Sequence, residues 1–107
     1  MNYEYKKTEK VMEMLSKDMS SKNVRYAVSI LPNEIKKMNK ELNMCENLMK
    51  NTADLFGEND PYLKQLRVRH ADVVFWKKSA EGLLESLKKT LITVQNKAQE
   101  IANNLDK

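Results

Sequence analysis

The chain has 107 residues, is 32% charged and 41% hydrophobic, and carries two Gly, two Pro and a formal net charge of +4. That length sets a single elongated domain, 1–107, near the lower limit for a useful core, and so few turn-forming residues argue against a sheet protein. No apolar run reaches the eighteen or so residues of a membrane span, and a lone cysteine rules out an internal disulfide.

Met1-Asn2-Tyr3-Glu4-Tyr5 has no basic region leading into an apolar run, so no signal peptide is expected and a cytoplasmic location follows. A first helix is expected over about 3–19, with Tyr5, Met12, Leu15 and Met19 on one face and Val11 beside them. Ser20-Ser21-Lys22-Asn23 interrupts and offers side-chain oxygens to cap the next helix. That helix is expected over about 24–55 with a kink or restart at Pro32, which lacks an amide donor. Gly57 is placed to end it, and Asp60-Pro61 to cap and open a third helix over about 61–105.

The apolar register joins these pieces. Leu31, Ile35, Met38, Leu42, Cys45 and Met49 step by four and three, and Phe56 continues one heptad on. After the break, Tyr62, Leu66, Arg69, Val73, Trp76 and Ala80 form a second run. It continues, after one extra step of four, through Leu84, Leu87, Leu91, Val94, Ala98, Ile101 and Leu105. Two such seams spell an antiparallel, coiled-coil-like helical hairpin. Counting out from the turn places Met49 level with Val68, Leu42 with Phe75 and Val24 with about Thr93, so residues 94–105 overhang. Helix 1 either runs on in line to cover them or folds back, bringing Tyr3 and Tyr5 level with Val74 and Phe75. The polar break favours fold-back and a three-helix bundle.

Three surfaces are candidates for function. In Val73-Val74-Phe75-Trp76 a two-helix seam takes Val73 and Trp76, while Val74 and Phe75 face elsewhere. They lie under helix 1, or with Trp76 they anchor a partner protein, since buried aromatics dominate interface energies. The stripe Val94, Ala98, Ile101, Leu105 is bare if helix 1 folds back, and a second copy or a partner helix would cover it. The third surface follows from charge. Residues 1–60 hold ten basic and ten acidic side chains, so the excess sits on Lys64, Arg67, Arg69, Lys77, Lys78, Lys88 and Lys89, set against Asp72, Glu81 and Glu85. This set could follow a phosphate backbone. Glu81 and Glu85 stand at spacings that pair with the lysines, as on a solvated face.

Cofactor and metal signals are absent from the pattern. His70 has no second histidine or cysteine at ligand spacing, and Asp54, Glu58 and Asp60 lack the alternation of a calcium loop. Cys45, on the seam, reads as a small core residue. No nucleophile, base and orienting group can be named together, so an enzyme is not expected. Lysine outnumbers arginine sixteen to three, as in an AT-rich phage or mobile-element genome.

Trp76-Lys77-Lys78-Ser79-Ala80, leading into a long amphipathic helix, resembles the Trp-x-Gly region of the small helical-hairpin proteins of type VII secretion. Lys78 stands where that family has glycine, and Trp76 lies about four turns inside a helix rather than at the bend. The resemblance therefore implies a hairpin shape and no more.

The expected fold is all-α: a long antiparallel hairpin with a shorter N-terminal helix packed on it. The expected function is non-catalytic protein binding by an adaptor, chaperone or inhibitor, with Val74, Phe75, Trp76, Val94, Ile101 and Leu105 meeting a larger partner. Nucleic-acid association through the basic arm, or self-assembly as a homo-oligomer, are the alternatives, and no membrane partner is expected.

Overall fold

Three helices fill the described residues, 5–105, of the computed structural model: α1 (Lys6–Lys17), α2 (Ser21–Phe56) and α3 (Pro61–Leu105). The fold is all-α. α2 and α3 pack antiparallel in an extended hairpin, and the molecule measures 73 × 24 × 15 Å.

Heptad periodicity builds the hairpin. In α2 every seventh residue is buried: Val24, Leu31, Met38, Cys45 and Thr52. In α3 the same holds for Leu66, Val73, Ala80 and Leu87. This 3.5-residue mean spacing keeps both seams facing each other along the helices. Glu46 Oε1 and His70 Nε2, 3.1 Å apart across the hairpin, fall within a residue of the register counted from the turn. The contacts of Glu41 with Arg69 and of Cys45 with Leu66 instead reach residues of α3 about six nearer the turn than that register gives.

The second seam position of α2 departs from expectation. Glu34 and Glu41 are buried there, whereas Ile35 is only half-buried. Each carboxylate reaches a cation, Glu34 to Lys37 at 3.4 Å and Glu41 to Arg69 of α3. A paired, hydrogen-bonded charge is what burial of a carboxylate requires. The seam ends at Thr52, seven residues after Cys45, and Phe56, expected to continue the seam seven residues after Met49, is 71% exposed. Tyr62 is likewise exposed and Leu63 buried instead. Thr52 and Leu63 are the last buried seam residues before the chain turns.

The turn itself follows the sequence. Gly57 adopts φ 86°, ψ 172°, a region open to glycine and costly for other residues. The Asp60 carboxylate accepts from the amides of Tyr62 at 2.9 Å and Leu63 at 3.3 Å, capping α3, with Pro61 as its first residue.

The break between α1 and α2 falls at Asp18-Met19-Ser20, ahead of the expected Ser20–Asn23. Ser20 Oγ accepts from the Asn23 amide at 3.3 Å, and Asn23 Nδ2 donates to the Asp18 carbonyl at 3.0 Å. α2 thus starts at once, and Met19 is exposed in the linker instead of lying on the face of α1. α2 then continues through Pro32 without a restart. Pro32 lies on the exposed side, where a carbonyl deprived of its amide can be hydrated.

α1 folds back along the hairpin. Its face of Tyr5, Thr8, Val11 and Leu15 is buried against the core, and the Tyr5 ring meets Trp76 edge-on at 6.2 Å and 61°. Tyr3, expected beside it, lies outside the described residues.

Candidate binding surface

With α1 folded back, its cover stops at the α1–α2 linker, and α3 runs on. From Ile92 to Leu105 every residue is exposed. Val94 and Ile101 continue the heptad position of Leu66, Val73, Ala80 and Leu87. The first four are at most 2% exposed, and these two are 58% and 55% exposed. Ala98 and Leu105 line the same stripe. At its root, Met19, Val24, Leu91 and Val94 help form an apolar groove of ≈ 450 Å³ between the linker and α3. The overhang is about 21 Å of helix with its seam side open.

The second predicted cluster is divided. Trp76 is half-buried between the Tyr5 ring and the Phe75 ring, the latter 6.1 Å away and tilted 75°. Val74 packs half-buried against the core. Phe75 stands out at 64% exposure. The structure therefore places Val74 and Trp76 largely within the fold and leaves Phe75 as the accessible member. It does not bring this cluster together with the overhang stripe.

The basic residues of α3 are mostly spoken for. Arg67 pairs with Glu58, Arg69 with Glu41, Lys77 with Glu81 at 3.9 Å and Lys89 with Glu85 at 3.3 Å. Lys64, Lys78 and Lys88 are exposed and have no carboxylate partner among the described residues.

Sequence reading missed the apolar tip. Leu55, Phe56 and Tyr62 flank the turn with their side chains exposed. The signal that would have found it is Thr52, seven residues after Cys45, which shows that the seam runs out there.

Cys45 is buried, its Sγ donates to the Leu66 carbonyl at 3.3 Å, and burial pushes the thiol up from its ordinary value. A thiol so held is a poor nucleophile at neutral pH. His70 is engaged by Glu46. No helix is long and apolar enough to cross a membrane among the described residues.

Comparison with family models, with curated proteins and with solved structures finds no match. The functional reading therefore rests on shape and surface: an extended helical hairpin that exposes apolar side chains, consistent with binding a partner.

Proposed function

We propose that this chain is a non-catalytic protein-binding module that presents the open seam of α3 to a helix of a larger protein, as an adaptor, chaperone or inhibitor. One observation carries the reading. A single heptad position is buried through four repeats and then bare for two, with its apolar character unchanged. A knob that meets a hole in one half of a helix and water in the other half calls for a further helix to complete the layer. Val94, Ile101 and Leu105 would supply most of the buried area, and Phe75 a separate aromatic contact. The engagement of Cys45 with Leu66 and of His70 with Glu46 supports a role without catalysis.

Site-specific photo-cross-linking from position 98 in the native host tests this. The expected result is one dominant adduct heavier than two copies of the chain. An adduct with only a second copy, or none, overturns it.

A further inference from the structure

Charge in the first two helices is segregated, although it cancels over residues 1–60. Residues 5–40 hold nine basic and four acidic side chains, and residues 41–60 hold one basic and five acidic. Fold-back of α1 concentrates the basic part, because it lays Lys7 against the stretch of α2 that carries Lys36, Lys37 and Lys40. These four lysines, with Asn33 and Glu34, line one groove of ≈ 320 Å³ between the two helices. Glu34 is buried and held by Lys37. Lys7, Lys36 and Lys40 are exposed and have no carboxylate partner among the described residues.

We propose that this groove binds the phosphate backbone of a nucleic acid, with Lys7 on one wall and Lys36 and Lys40 on the other. Lysine is a compact point charge suited to phosphate. Lys36 and Lys40 stand one helical turn apart, about 5–6 Å between Cβ atoms, a spacing comparable with that of successive backbone phosphates. Concavity favours a chain of phosphates over a flat bilayer surface. A membrane face also needs exposed apolar side chains beside its lysines, and Ile30, the apolar residue of the lining, is half-buried. The basic set of α3, largely consumed by carboxylates, is the weaker candidate for the same chemistry. The groove lies at the Tyr5 end of α1 and the overhang starts at its other end, about 18 Å of helix away, so the two sites fail or succeed independently.

The test is fluorescence anisotropy of the full chain with a short labelled single strand and the matching duplex, across a salt series. Each duplex phosphate contacted contributes a slope of about 0.9 log units of affinity per log unit of salt. The three contacts of Lys7, Lys36 and Lys40 predict a loss of about fortyfold between roughly 50 and 200 mM salt. Combined Lys7→Gln, Lys36→Gln and Lys40→Gln should weaken binding at least tenfold and reduce the slope by about 3, with helicity by circular dichroism unchanged. Lys37 is left in place because its removal would strand Glu34. Combined Lys64→Gln, Lys78→Gln and Lys88→Gln on α3 should leave affinity and slope as they were. The proposal is overturned by absent binding at low salt, by an equal loss from the α3 variant, or by polyglutamate competing as well as the oligonucleotide, which would show a preference for acidic protein.

Discussion

Glu41 and Arg69 form an ion pair across the hairpin at a position where the heptad calls for an apolar residue. The Glu41 side chain is 7% exposed and that of Arg69 35%. Arg69→Met would leave the carboxylate buried without this cation. We expect a loss of about 2–3 kcal/mol in urea denaturation, below the full penalty for breaking a buried pair because the guanidinium end is partly hydrated. Glu41→Leu combined with Arg69→Leu should recover most of that loss, since an apolar pair suits the seam. A single-variant loss under about 0.5 kcal/mol would show that the pair is peripheral.

This pair also shows where the sequence was legible and where it was not. Leu31, Met38 and Cys45, and Leu66, Val73, Ala80 and Leu87, satisfy one heptad phase, so helix number, direction and the overhang follow from spacing alone. The alternate seam position is ambiguous by one residue. Glu34 is buried ahead of Ile35, which is half-buried, and Glu41 is buried beside Leu42, which is buried as expected; hydropathy points only to the apolar residue of each pair. Burial of the glutamates depends on cations brought from Lys37 and from Arg69 of the other helix, which no periodicity reveals. The tip is similar, because Phe56 is apolar and nearly in phase, but the buried seam ends at Thr52. The basic groove was hidden for another reason. It is assembled by fold-back of α1, and a sum of charge over sixty residues cannot see it.

The turn should be sensitive to backbone chemistry. A Cβ at Gly57 meets nothing within 4 Å, so Gly57→Ala tests conformation without a clash. At φ 86°, ψ 172° the expected cost is about 1–3 kcal/mol. Asp60→Ala should cost about 1 kcal/mol through loss of the α3 cap. Thermal melting of both variants measures this, and an unchanged melting temperature for Gly57→Ala would mean that the turn relaxes freely.

Adjacent aromatic residues should behave oppositely. Trp76→Ala removes the ring packed on Tyr5, and its half-buried position predicts a loss of about 2–3 kcal/mol, below the range for a fully buried tryptophan. Phe75→Ala should stay within about 0.5 kcal/mol of the parent. Comparable destabilisation by both would place Phe75 in the core.

Cys45 links stability to alkaline pH. Burial pushes its thiol above the ordinary 9.0, with Arg69 pulling the other way and Glu41 and Glu46 adding to the rise. The folded chain therefore keeps a proton that the unfolded chain releases. Below pH 9 this difference has no effect, and above it stability falls as pH climbs toward the folded value. Cys45→Ala should be less stable than the parent at neutral pH, and the gap should narrow as pH rises past about 9. A gap that stays constant through that range would contradict the shift.

The overhang gives the sharpest contrast, because residues of one seam should respond in opposite ways. Leu87→Ala empties a site 1% exposed and should cost about 2–4 kcal/mol. Ile101→Glu with Leu105→Glu alters side chains 55% and 79% exposed, so the melting temperature of the isolated chain should barely move. The same double variant should abolish the cross-linked adduct from position 98, because a carboxylate pushed into a helix–helix seam loses its water without gaining a partner. If the adduct persists, the open stripe of α3 is solvated in use and the partner docks elsewhere. If the isolated variant melts earlier instead, the stripe is already covered by part of this chain or by a second copy, and sedimentation at two concentrations separates those two cases.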